Sequence, residues 1–165
     1  KTWESAATYA ATVFTEALPG IDCGRGTNLA FRVLGAPWLQ AEKFCERMTR
    51  DRLAGVSFHP CRYVAASGRY AGRELDGIRL TVTQAACFRP AEVSLALLRA
   101  LAEDYGQRRV WHHKGARAKW FDQLYGTAET RKHLQARKPL GALANAWSRE
   151  RRSFAAMRTA ALLYA

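Results

Sequence analysis

The chain has 165 residues, of which 48% are hydrophobic and 24% charged, and these values are typical of one globular domain and exclude a disordered tail or a collagen-like repeat. The longest apolar run, residues 160–165, is far shorter than the roughly 20 residues of a transmembrane helix, so no membrane span is predicted. The net charge of +12 favours anionic partners such as nucleic acid or an anionic cell-wall polymer, unless it is only a solvated basic surface.

The first third of the chain alternates regular segments with a loop. Residues 6–16 are typical of a linker or a short helix that enters a strand. Residues 18–27 contain Pro and several Gly, which indicate a loop with unusual backbone angles. A short strand is predicted at residues 31–34, and apolar residues at helical spacing then predict a helix over residues 38–53.

The rest of the chain contains the clearest periodic patterns. Residues 56–60 begin an extended segment, and residues 78–83 alternate apolar with polar side chains, as a half-buried strand does. An apolar stripe that follows Pro90 predicts a helix to Tyr105. Three more helices are predicted in the C-terminal third, at residues 118–125, 127–136 and 140–156. This order lacks regular βαβα alternation, so we predict an α+β fold with a small mixed β-sheet covered by helices.

Neither the cysteines nor the histidines indicate a metal site. The cysteines lack any close CxxC pair, which favours free thiols over zinc and leaves disulfides open for an exported protein. They are Cys23, Cys45, Cys61 and Cys87. His112 and His113 are adjacent and would point to opposite faces of a strand. We predict no metal and no cofactor.

Several short motifs occur in a fixed order along nearly the whole chain. Residues 24–27 read GRGT, residues 35–38 read GAPW, residues 69–72 read RYAG and residues 88–90 read FRP. This series resembles the C-terminal domain of the NamZ/YbbC family of peptidoglycan exo-β-N-acetylmuramidases. The resemblance implies that residues 1–165 form one domain of that kind.

The family consists of two-domain, metal-independent glycosidases that remove N-acetylmuramic acid from the non-reducing end of peptidoglycan fragments. The resemblance therefore implies a cleft between this domain and a Rossmann-like N-terminal catalytic domain. That domain is absent here, so we expect residues 1–12 to be the interdomain linker and this chain alone to be inactive. The implied partner is a peptidoglycan-derived sugar with an N-acetylmuramic acid end, and the implied location is periplasmic or secreted.

The resemblance places a substrate-binding site on the GRGT and GAPW motifs and on the RYAG loop. Its candidate residues are Gly24, Arg25, Gly26, Thr27, Trp38 and Tyr70. The glycines would let the backbone approach a ligand, Arg25 would bind the lactyl carboxylate of muramic acid, and the aromatic rings would stack on the sugar. The alternatives are a plain turn in which Arg25 pairs with an acid such as Asp22, a core role for Trp38 and a structural role for Tyr70.

Glu16 corresponds to a Glu of the family pattern and is the candidate general acid or base. Glycoside hydrolysis usually uses two carboxyl groups about 5–9.5 Å apart, and this chain shows only one candidate. The family has a Gly-Thr-Asn stretch after the Glu, whereas residues 17–20 here read ALPG. Glu16 is alternatively a loop-end ion pair.

Two other classes of function remain open. The altered residues 17–20 and the basic composition also fit a non-catalytic module that binds anionic wall polymer. Nucleic-acid binding rests on net charge alone, since no nucleic-acid motif is present. The late arginines lie on an amphipathic helix and are most simply a solvated face. They are Arg149, Arg151, Arg152 and Arg158.

Overall fold

A computed structural model describes residues 2–162, so residue 1 of the expected linker and residues 163–165 of the apolar run lie outside the described residues. Seven α-helices occur in the described part, in chain order α1 Trp3–Thr12, α2 Ala41–Arg50, α3 Pro90–Asp104, α4 Gln107–Val110, α5 Ala118–Tyr125, α6 Glu129–Gln135 and α7 Leu140–Arg158. The strands are β1 Val33–Gly35, β2 Val56–Val64 and β3 Glu74–Val82. Among residues 2–162, no helix is both long and apolar enough to cross a bilayer.

The sheet has three strands in the order β1-β3-β2. β2 and β3 pair from Val56 opposite Val82 to Val64 opposite Glu74, and β1 pairs with the other edge of β3. The α+β class is confirmed. Both strand pairs are antiparallel, so the sheet is not the mixed sheet that was predicted. β2 and β3 follow each other directly in a hairpin, a connection that can join only antiparallel strands.

The two halves of the long hairpin bury opposite faces of the sheet. Near the base, Phe58 and its partner Leu80 point into the main core under the helices. Near the tip, Tyr63 and its partner Leu75 belong to a second cluster on the other face. The second cluster supports the hairpin tip beneath residues 24–31 and the loop at residues 67–72.

Helix α3 lies at the centre of the main core and confirms the predicted apolar stripe. Its residues Val93, Leu97, Leu98 and Leu101 are each 0–1% exposed. The helix begins with Pro90 in its first turn, where a missing N–H costs nothing, and Gly106 follows its C-cap with a positive φ of 90°.

The N-terminal segment was predicted to be a linker or a short helix, and it forms a short helix, α1. The Thr2 side chain accepts a hydrogen bond from the Ser5 N–H at 3.2 Å and caps the helix, while Thr8 and Ala11 are fully buried. The strand expected next is a 3₁₀ helix, Val13–Ala17. The Thr15 hydroxyl donates to the Thr12 carbonyl at 2.9 Å, a local bond that favours a helical turn over an extended strand.

The helical C-terminal third is confirmed, with one addition. The short helix α4 was not predicted, and it packs on the end of α3. The helix expected from residue 127 begins at Glu129, and the Thr127 hydroxyl accepts a hydrogen bond from the Glu129 N–H at 3.2 Å. Leu143 anchors α7, whereas Phe154 near its far end is 59% exposed.

Candidate functional site

The GRGT loop is held by a carboxylate that faces inward. Asp22 Oδ1 accepts hydrogen bonds from the Gly24 N–H at 2.7 Å and from the Tyr63 hydroxyl at 2.8 Å. The Asp22 backbone also exchanges two hydrogen bonds with Gly35, at 2.8 and 3.0 Å. The loop is therefore tied both to β1 and to the hairpin, which fixes the direction in which Arg25 leaves it.

Both glycines of the motif are required by packing within the protein. Gly24 and Gly26 have backbone φ angles of +69° and +87°, which L-residues with a side chain rarely adopt. A Cβ at Gly24 would lie 2.6 Å from Val33 Cγ2, and one at Gly26 would lie 3.1 Å from the Ala66 Cβ. Their presence is explained without a ligand, and close approach to a sugar stays a prediction.

Thr27 uses its hydroxyl inside the loop. Its Oγ1 donates to the Gly24 carbonyl at 2.6 Å and accepts from the Leu29 N–H at 3.0 Å. The side chain stabilises the turn, and with Gly26 it lines a different surface from the one that Arg25 lines. Thr27 is a candidate substrate-binding residue, but donation from its hydroxyl to a substrate would require it to give up its bond to Gly24.

Arg25 and Glu16 meet at a pocket of about 350 Å³. Arg25 Nη1 lies 3.0 Å from Glu16 Oε1, and the two side chains are 65% and 15% exposed, respectively. Arg25 was expected either to bind a sugar carboxylate or to pair with an acid such as Asp22. It is paired with an acid, but that acid is Glu16. Glu16 itself adopts the ion-pair alternative. Asp22 instead accepts hydrogen bonds from Gly24 and Tyr63.

The two candidate aromatic residues lie in different places. Tyr70 lines the pocket but is only 6% exposed, and its hydroxyl donates to the Gly20 carbonyl at 3.2 Å. Trp38 is half-buried against the main core, with its ring 5.1 Å from the ring of Tyr105, and it does not line the pocket. Its position fits the core alternative given above. The structure thus brings together Glu16, Arg25 and Tyr70, without Trp38.

Two residues of α5 and its N-cap complete the pocket, and the sequence analysis missed both. Arg117 Nη2 donates to the Glu16 carbonyl at 2.9 Å, and the Arg117 N–H donates to the Ala17 carbonyl at 2.9 Å. The Arg117 guanidinium lies 3.5 Å from the centre of the Trp120 ring. In the sequence, the only signal was a basic residue three positions before a Trp. Nothing local connects it with a Glu that is 101 residues away.

The pocket is rich in positive charge and offers one carboxylate to a ligand. Arg25, Arg69 and Arg117 line it, against Glu16 and the loop-bound Asp22. Cys23 lies at its base, and burial raises the pKa of its thiol, so this thiol is a poor nucleophile. All four cysteines are free, and residues 2–162 contain no cluster of His, Cys, Asp and Glu that could hold a metal.

An apolar groove of about 790 Å³ lies on the other side of the GRGT loop. The rings of Tyr9 and Phe31 meet edge to face at 4.7 Å in its wall, and Tyr9 remains 45% exposed. Gly26 and Thr27 line this groove while Arg25 lines the pocket, so residues 24–27 separate the two. The groove therefore lies next to the pocket that Glu16 lines, with the loop between them.

Comparison with known protein families gives one match. Residues 7–164 match the family described as exo-beta-N-acetylmuramidase NamZ, C-terminal. The chain is 24% identical over 163 residues to the peptidoglycan beta-N-acetylmuramidase NamZ of Bacillus subtilis strain 168, and it spans 38% of that protein's length. The crystal structure of a DUF1343 family protein from Bacteroides fragilis has the same fold, with a TM-score of 0.88, 22% identity, and 97% of this chain and 42% of that chain covered.

Proposed function

Since this chain belongs to the family of NamZ C-terminal domains, we propose that it is the substrate-binding part of an exo-β-N-acetylmuramidase. In this proposal, the whole enzyme removes N-acetylmuramic acid from the non-reducing end of peptidoglycan fragments. The chain contributes the loops around Glu16 and Arg25, and a second domain supplies the rest of the cleft. The relative from B. subtilis, of which the chain spans 38%, has room for such a domain.

The observation that carries the proposal is the Arg25–Glu16 pair at the pocket mouth. Arg25 gives one hydrogen bond to Glu16 through Nη1, and its Nη2 and Nε have no other hydrogen-bond acceptor among residues 2–162. That free edge has the two parallel donors that a carboxylate accepts. The lactyl group of N-acetylmuramic acid carries such a carboxylate, whereas N-acetylglucosamine does not.

Glu16 is the proposed general acid or base, and the pocket provides only this one of the two carboxyl groups that the reaction needs. Glycoside hydrolysis generally needs a proton donor and a second carboxyl group for the base or nucleophile. Asp22 is the other carboxyl group that lines the pocket, and two internal hydrogen bonds hold its Oδ1. We therefore place the second catalytic carboxyl group on the other domain.

The apolar groove is the proposed docking surface for that domain. Tyr9 and Phe31 give it an exposed aromatic wall, and such exposed apolar surface usually marks an interface. Because residues 24–27 form the ridge between groove and pocket, a domain seated in the groove would face Glu16 and Arg25 across that ridge. The cleft would then close around the sugar.

The test is a fluorescence titration of the chain with a disaccharide that ends in N-acetylmuramic acid and with its N-acetylglucosamine counterpart. Trp120 lies in the pocket and reports binding. We expect the chain to bind the muramic sugar about tenfold more tightly than the other sugar. This factor corresponds to the lower end of the free-energy range for a hydrogen bond to a charged group, because Arg25 is exposed. Arg25→Ala should remove much of this preference.

Arg62→Ala is the matched control. Arg62 is 63% exposed and pairs with Asp76 at 2.9 Å, which closely resembles the Arg25–Glu16 pair, but it lies on β2 and does not line the pocket. Equal affinity for the two sugars would contradict the proposal. Salt-sensitive binding of an anionic wall polymer with no sugar preference would instead support the non-catalytic module, for which the three arginines of the pocket are the supporting observation.

A further inference from the structure

We propose that Arg117 is a specificity-determining residue of this pocket and the main anchor for the carboxylate of its anionic sugar, with Trp120 as the residue that positions it. This inference rests on the proposed function, and it assigns carboxylate recognition to the start of α5 as well as to the GRGT loop. Neither Arg117 nor Trp120 belongs to the motifs that carry the family resemblance.

The two arginines, Arg25 and Arg117, differ in how far their charge is balanced. The carboxylate of Glu16 lies 3.0 Å from Arg25 and neutralises much of its charge. Arg117 gives its side-chain hydrogen bond to the backbone carbonyl of Glu16, which carries only a partial charge. Among residues 2–162, no carboxylate lies within 4.0 Å of the Arg117 guanidinium. Arg117 and Arg69 are therefore the pocket cations without a carboxylate partner among residues 2–162. Of these two, Arg117 is the one bonded to Glu16, so a ligand carboxylate gains more from Arg117 than from Arg25.

Arg117 is already held in place before a ligand binds. Its backbone N–H donates to the Ala17 carbonyl, its Nη2 donates to the Glu16 carbonyl, and its Cζ lies over the Trp120 ring, 3.5 Å from the ring centre. A stacked guanidinium keeps its planar edge of donors and loses less rotational freedom when it binds a carboxylate. Trp120 is half-buried against the main core, so it is a firm support.

Arg117 is attached to the candidate catalytic residue. Glu16 contacts Arg117 through its carbonyl and Arg25 through its carboxylate, so both cations are fixed to one residue of the 3₁₀ helix. A carboxylate bound by Arg117 would place the sugar beside Glu16. Positioning of this kind orients the bond to be cleaved relative to the acid or base.

The experiment measures the ratio of dissociation constants for the two disaccharides by calorimetry. In Arg117→Gln, which removes the charge and keeps a polar chain, most of the roughly tenfold preference for the muramic sugar should disappear, and this loss should exceed the loss in Arg25→Gln. Arg117→Lys keeps the charge but loses the fork, and it should restore only part of the preference. Arg62→Gln should leave the ratio unchanged.

A second readout separates recognition from folding, because Arg117 also joins α5 to the 3₁₀ helix. At equal occupancy, the indole N–H resonance of Trp120 should shift further when the wild-type chain binds the muramic sugar than when it binds the other sugar, because only the muramic sugar brings a carboxylate to Arg117. Unchanged selectivity in folded Arg117→Gln, together with its loss in Arg25→Gln, would overturn this inference and leave the proposed function standing. No sugar preference in the wild-type chain would overturn both.

Discussion

Tyr63→Phe removes a single oxygen that links the hairpin to the GRGT loop. The Tyr63 hydroxyl donates to Asp22 Oδ1 at 2.8 Å, and the same oxygen accepts the Gly24 N–H at 2.7 Å. Tyr63 is 8% exposed, so water cannot easily replace the lost donor. The change leaves the ring in place and weakens only the support of the loop that carries Arg25.

The expected loss is about 2 kcal/mol of the free energy of unfolding. A hydrogen bond to a charged group contributes about 1.5–3 kcal/mol, and Asp22 keeps its bond from Gly24, so the middle of that range applies. For a chain of 165 residues, this loss lowers Tm by roughly 4–8 °C, at about 2–4 °C for each kcal/mol.

The assay is urea unfolding followed by circular dichroism, with Tyr9→Phe as the matched control. Tyr9 is 45% exposed, and its hydroxyl makes no hydrogen bond to another of residues 2–162, so its loss should change stability by less than about 0.5 kcal/mol. A loss below 0.5 kcal/mol in Tyr63→Phe as well would refute the claim that this bond supports the loop.

The pH dependence gives an independent check. Burial, and then the adjacent Asp22, raise the pKa of Tyr63 well above its ordinary value of 10.0. Above pH 10 the unfolded chain loses this proton while the folded chain keeps it, so the stabilisation is complete below pH 10 and declines as the pH rises. The stability difference between wild type and Tyr63→Phe should therefore shrink above pH 10, by up to about 1.4 kcal/mol per pH unit.

Two further predictions concern the core. Phe121 is fully buried and packs on the rings of Trp111 and Tyr125, so Phe121→Ala should cost about 3–5 kcal/mol in urea unfolding, while Phe154→Ala, at a 59% exposed position, should cost less than about 0.5 kcal/mol. Burial raises the pKa of Cys45 to about 12, so iodoacetamide at pH 8 should leave it unmodified in the folded chain and label it in urea; equal labelling rates in both states would show that it is not protected.

The regular elements were predictable wherever the pattern that determines them is local. The apolar stripe of α3 and the alternation along β3 follow from which side chains share a face of a helix or a strand. The same holds for the helices of the C-terminal third, although α4 is too short for its pattern to be recognised. Residues 6–16 were predicted to enter a strand because they end in β-branched and aromatic residues, but residues 13–17 form a 3₁₀ helix in which the Thr15 hydroxyl donates to a backbone carbonyl.

The candidate site was predictable only in part. The motifs placed Glu16, Arg25 and Tyr70 in one pocket, and the structure shows all three lining it. The same motifs also included Trp38, which packs against Tyr105 in the core, and Thr27, which bonds to its own loop. Residue type alone does not tell whether a side chain points to solvent, to the core or to its own backbone.

The sequence by itself determined the family, the α+β class and the presence of an irregular loop at residues 24–27, because these depend on short motifs and on the periodicity of neighbouring side chains. Only the tertiary structure decided that Arg25 pairs with Glu16 and that Arg117 stacks on Trp120 beside them. Arg117 and Glu16 are 101 residues apart, and their contact exists only because α5 packs against the 3₁₀ helix. Contacts between elements so far apart in the chain arise from packing of the whole core, which no local pattern encodes.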